Sequence, residues 1–181
     1  IAIGLPQNWP QLQARGADVR ADALPPARGA QAVVSGSCSV ATNAQVLHFK
    51  QSGRPSLAID PLAIAAGEDV AAQALAWAEP LLASGPVLFY ATAEPSAVRA
   101  VQEKLGVARA GETAEHTLSR IAAGLVQRGV RQLLVAGGET SGAVVQALGV
   151  QRMAIGPQID PGVPWTSVDT PLCPGEQVHV A

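Results

Sequence analysis

Two short runs in this sequence combine residue types that can hold an anion. The first is Gly137-Gly138-Glu139-Thr140-Ser141-Gly142, which follows an apolar run at 133–136 and precedes a helical stretch. Glycine tolerates positive φ and lets the backbone come close to a ligand. The amides at a helix start, with the macrodipole behind them, form a ready anion site. Thr140 and Ser141 would add hydroxyl donors. Glu139 is less comfortable beside an anion, and suggests a magnesium-linked role or contact with a ribose hydroxyl. The plainer alternative is a tight turn with Thr140 as helix N-cap. The second run is Ser35-Gly36-Ser37-Cys38-Ser39, again between an apolar run, Ala32-Val33-Val34, and a helical stretch. Its alternative is a cap in which Ser39 satisfies helix amides. Neither run ends in the Gly-Lys-Ser/Thr of a P-loop, and neither has G-x-G-x-x-G spacing. The weight lies in finding both at one edge of a sheet.

Other candidates are weaker. The run Ile155-Gly156-Pro157-Gln158-Ile159-Asp160-Pro161-Gly162-Val163-Pro164-Trp165 could wall a pocket for an adenine ring or serve as a rigid connector, since proline pre-sets φ for either purpose. Asp160 alone is poor evidence for a metal. Cys38 and Cys173 are too few for a disulfide framework or a zinc site, and fit free thiols in a reducing cytoplasm. His48, His116 and His179 stand singly, so a metal held by side chains alone is not expected. Cys38 has no histidine close in sequence to activate it, and Ser141 is outside a G-x-S-x-G elbow. Trp77 reads as core, and Glu112 with Glu115 as a solvated first helical turn.

The elements that must position these runs alternate. Short strands are expected at 32–34, 56–59, 86–90, 131–136, 152–155 and 177–180. Helices are expected at 41–48, 68–82 (ended early by Glu79-Pro80), 96–104 with Gly106 as C-cap, 113–127 and 141–148. That rhythm predicts an α/β fold, a mainly parallel sheet flanked by helices in three layers, Rossmann-like. Residues 1–30, rich in Pro and Gly, read as a linker or leading arm, and 31–181 as the domain. Hydrophobic residues make up 48% of the chain and aromatics 3%, so the core is aliphatic. With a net charge of −2 and no basic cluster, nucleic acid is not an expected partner. No apolar stretch approaches the roughly 20 residues of a membrane span. The opening Ile-Ala-Ile-Gly-Leu-Pro, with neither Met nor a basic stretch, suggests a chain cut from something longer.

Four segments resemble the C-terminal domain of the four-carbon acid sugar kinase family, which includes 3-oxo-tetronate kinases. They are the run from Val33 through Ser37, Cys38 and Ser39 to Gln45, the run from Leu134 through Gly138 to Gly142, the run from Ile155 to Trp165, and Pro174-Gly175-Glu176. Gly4-Leu5-Pro6 is similar to the end of the segment joining that family's two domains. The resemblance implies a cytoplasmic kinase using ATP and Mg2+. Ser37, Ser39, Gly138, Glu139, Thr140 and Ser141 would line the nucleotide site, with Gly175 near it. It also implies an N-terminal domain binding the acid sugar and a closing Lys-Ser-Gly-Asn-Phe-Gly segment. Neither is present in the 181 residues, so the expectation is a truncated nucleotide-binding domain, inactive alone. Two alternatives stay open. One is a dinucleotide- or phosphosugar-binding α/β enzyme with Asp60 reading a ribose. The other is a non-catalytic effector or binding module that retains the fold. Homo-oligomerisation also stays open.

Overall fold

The computed structural model describes residues 23–91 and 106–181. The elements run β1 (Ala30–Ser35), α1 (Val40–Gln51), β2 (Ser56–Ala58), α2 (Pro61–Ala65), α3 (Val70–Ala78), a 3-10 turn (Leu82–Ser84) and β3 (Val87–Tyr90). They continue with α4 (Val107–Gln127), β4 (Val130–Ala136), α5 (Gly138–Ala147), β5 (Met153–Asp160), β6 (Val163–Val168) and β7 (Val178–Val180). The strands form one sheet in the order β2-β3-β1-β4-β7-β6-β5. β2, β3, β1, β4 and β7 run parallel, while β6 pairs antiparallel with both β7 and β5. The fold is therefore α/β and mainly parallel, as the sequence predicts.

The connections have a direction. From β1 the chain moves past β3 to β2, whereas β2 to β3, β3 to β4 and β4 to β5 all move the other way along the sheet. Parallel crossovers are right-handed, so α1 lies on one face and α3, α4 and α5 on the other. Contacts of α4 with both α3 and α5 agree with this. The core lies under that second group. Leu118, Ile121, Ala122, Leu125 and Val126 form a fully buried stripe at helical spacing on α4, facing Val34, Val87, Phe89 and Leu133 of the sheet. Leu75 of α3 fills the space that a Cβ on Gly124 would take, bringing the two helices together. Trp77, expected in the core, packs edge-on to Phe89 with ring centroids 5.7 Å apart.

Three expectations need revision. The region 155–165 is not a loop but most of an antiparallel hairpin. β5 is the edge strand, so the missing amide of Pro157 breaks no ladder, and Gly162 turns the chain at φ 82°. α4 begins at Val107, not 113, which puts Glu112 and Glu115 beyond its first turn. α5 begins at Gly138, with Gly137 at φ 122° before it, so Thr140 is inside the helix and not its cap. The helix expected at 96–104 and the Gly4-Leu5-Pro6 segment lie outside the described residues.

Candidate functional site

The runs after β1 and β4 meet. The strands are neighbours with Ser35 paired to Ala136, so both loops leave the same carboxyl edge side by side. The amides of Gly36 and Ser37 donate to the Ala136 carbonyl at 3.0 and 3.2 Å. A Cβ on Gly137 would stand 3.1 Å from Thr140 Oγ1 and 3.2 Å from the Ser37 nitrogen. The loop after β1 leads to α1 on one face, and the loop after β4 leads to α5 on the other. Adjacent strands whose connections diverge in this way open a crevice at their carboxyl ends, where ligands of open α/β sheets bind.

Each loop offers different chemistry. Gly137 precedes α5 with no side chain capping the helix. The amides of its first turn, Gly138, Glu139 and Thr140, therefore depend on water or a ligand for partners, with the macrodipole behind them. Ser141 directs both its amide and its hydroxyl to the Gly137 carbonyl, at 2.8 and 2.7 Å, so its hydroxyl hydrogen is committed within the turn. Ser39 caps α1, its Oγ accepting from the Thr42 amide at 3.1 Å. Ser37 Oγ accepts from Thr42 Oγ1 at 3.0 Å and from the Ser39 amide at 3.3 Å. These bonds hold the β1–α1 loop against the first turn of α1.

Charge at this rim is negative on one side. Glu139 is exposed in the first turn of α5, and its carboxyl acts on that of Glu115 of α4. Burial, then the approach of the Glu139 carboxyl, then the charges of Glu139 and Glu112 hold Glu115 above the usual carboxylate range. No group of three or more His, Cys, Asp or Glu among the described residues could hold a metal ion.

Gly175 lies elsewhere. It precedes β7, which runs parallel to β4 with His179 beside Gln132. The neighbouring Glu176 pairs with Arg131 at 2.8 Å, next to the start of β4. From Arg131 to Ala136 a strand climbs roughly 17 Å, so Gly175 is at the opposite edge of the sheet from Ser37 and Thr140. There it borders a depression of about 410 Å3 with Gly149, Arg152, Asp169 and Thr170. Asp60, the candidate ribose reader, caps α2 instead, accepting the Leu62 amide at 2.8 Å. Sequence reasoning read Glu115 with Glu112 as a solvated first turn and gave it no place here; Glu139 lies 24 positions away, and only the packing of α4 on α5 brings the two near.

The family of sequences described as nucleotide-binding C-terminal domain matches residues 32–181. A 3-oxo-tetronate kinase from Burkholderia multivorans is 56% identical over 94% of this chain and 40% of its own length. That of Cupriavidus necator is 53% identical over 92% of this chain and 38% of its own. A Haemophilus influenzae protein of known crystal structure superimposes with a TM-score of 0.78 at 35% identity, over 93% of this chain and 40% of that one. The chain thus spans about two fifths of the length of the kinases it matches. Among the described residues no helix is long and apolar enough to cross a membrane. With a family match over most of its length and two anion-suited loops at one crevice, the chain belongs to the family of nucleotide-binding C-terminal domains.

Proposed function

We propose that the crevice between the β1–α1 and β4–α5 loops binds ATP as its magnesium complex. The whole protein would transfer the γ-phosphoryl group to a hydroxyl of a four-carbon sugar acid of the 3-oxo-tetronate type. The observation that carries this reading is the meeting of an uncapped helix N-terminus with a serine loop at one switch point, in a chain similar to kinases of that name. The first-turn amides of α5, at Gly138, Glu139 and Thr140, would take phosphate oxygens, with Ser37 of the β1–α1 loop lining the other side of the crevice. Magnesium arrives with the nucleotide, since Mg2+ in such sites is held largely by phosphates and water. Glu139, in the first turn of α5, would serve it. The tip of the β5–β6 hairpin reaches the level of this rim, judged from the pairing of Thr166 with Val180 and of Val180 with Leu133. There Ile159 and Val163 offer an apolar wall for the base.

Phosphoryl transfer depends mostly on positioning and charge stabilisation, and rigid backbone amides supply both. Residues 1–30 would lead in from the region that binds the acid sugar and supplies the base. Cys38 and Cys173, both free, suit the cytoplasm, where ATP is abundant. Calorimetry of the chain with ADP and magnesium tests the site. A dissociation constant of about 0.1–1 mM is expected for one half of a cleft, and no binding at ~5 mM would sink the reading.

A further inference from the structure

We infer that Gly36 is a positioning residue of the nucleotide site: because it has no side chain, the hydroxyl of Thr140 can seat against the β1–α1 loop and fix the distance between the two loops. The inference rests on the crevice being that site. Thr140 is buried in the first turn of α5, at 3% exposure. A Cβ on Gly36 would collide with Thr140 Oγ1 and lie 3.3 Å from both Thr140 Cβ and Leu118 Cδ1. The two carbon contacts ask their neighbours to give by only a few tenths of an ångström, whereas the Thr140 oxygen, held in a close-packed interior, leaves the methyl no room. A side chain at position 36 must therefore lift the β1–α1 loop away from α5. That movement strains the bonds from the Gly36 and Ser37 amides to the Ala136 carbonyl. It also carries Ser37 out of line with the α5 amides, and a misplacement near 1 Å is enough to reduce function strongly.

The test is a double-mutant cycle of Gly36→Ala and Thr140→Ala with two readouts. The first is ADP affinity in the presence of magnesium. Gly36→Ala should weaken binding at least about tenfold when Thr140 is present, but less than about threefold in the Thr140→Ala background, where the obstructing oxygen is gone. This comparison holds whether or not Thr140 itself touches phosphate. Equal losses in both backgrounds, or no loss beside Thr140, would overturn the inference. The second readout is the rate at which a disulfide reagent labels Cys38, which is exposed two residues beyond Gly36, while Cys173 is buried. Gly36→Ala should change that rate several-fold and the double variant should restore it; a rate unmoved by Gly36→Ala counts against the interlock. If the unaltered chain binds no ADP, the nucleotide reading fails while the labelling rates still decide the interlock. Should Gly36→Ala fail to fold, the double variant must fold with a melting temperature near that of Thr140→Ala, and its failure to do so would also overturn the inference.

Discussion

Glu139 faces two opposed demands. The positive end of the α5 dipole favours a carboxylate there, whereas a bound phosphate repels one. Its neighbour Glu115 is held above the usual carboxylate range by burial and then by Glu139 itself. Because Glu115 titrates above its usual range when folded, the folded state holds its proton to higher pH than the unfolded chain. Glu115 therefore lowers stability as pH rises from the ordinary glutamate range through the raised value. Glu139→Gln should lower the Glu115 midpoint, since it removes a neighbouring negative charge and offers an amide donor to the Glu115 carboxylate. Burial would retain part of the rise. Carboxyl-carbon NMR titration reads this directly, and an unchanged midpoint would show that burial alone displaces Glu115. Arg131 gives the contrasting case. Its guanidinium bonds the Val126 and Val130 carbonyls at 2.7 and 2.8 Å, and its bond and charge hold Glu176 below the usual range. That contribution is present above the unfolded glutamate value and is lost as pH falls through the folded one.

Elements were legible in the sequence where periodicity was strong and obscure where glycine had two meanings. The buried stripe of α4 from Leu118 to Val126 follows from spacing alone. Its start does not, because Gly106 and Gly111 both resemble punctuation, and Gly111 in fact lies within the helix. At α5 the good capping residue Thr140 drew the expected boundary inward, while the true N-terminal flank is Gly137, whose backbone rather than side chain makes the turn. The candidate site was nonetheless visible as two runs, because strand-to-helix turns in a parallel sheet all open at one edge. What spacing could not supply is which strands are neighbours; Gly175, expected near the site only from the resemblance, precedes β7 at the amino ends of the parallel strands. The two glycines within α4 give a test of opposite signs. A Cβ at Gly111 meets no atom within 4 Å, so Gly111→Ala should stabilise by about 0.5–1 kcal/mol through helix propensity. At Gly124 the new methyl meets Leu75, and overpacking of about 1–3 kcal/mol outweighs that gain. Urea denaturation of both variants checks the pair, and stabilisation by Gly124→Ala would mean that Leu75 yields freely.

At the scale of the whole molecule, the sheet has an unequal finish. The hairpin escaped sequence reading because its prolines and glycines are loop signals everywhere except on an edge strand. On that edge β5 leaves Met153, Ile155 and Ile159 exposed at 44%, 64% and 44%, and Val163 of β6 at 41%. Met153 and Ile155 pair with Val168 and Thr166, which in turn pair with Val178 and Val180, so they extend the core face of the sheet outward beyond its cover. An edge with apolar side chains and unpaired backbone groups invites association. Pro157 and the register shifts around Gln158 oppose it by interrupting the edge. The N-terminal part of β5, where Met153 and Ile155 lie, precedes that interruption, so attraction should prevail there. Ile155→Lys should therefore reduce self-association of the 181-residue chain in sedimentation velocity at raised protein concentration. A side chain already 64% exposed contributes little to folding, so the melting temperature should stay within about 2 °C, the scale set by a few tenths of a kcal/mol. A loss of several degrees would instead mean that Ile155 is covered within the chain itself, and unchanged association would move the sticky surface away from β5.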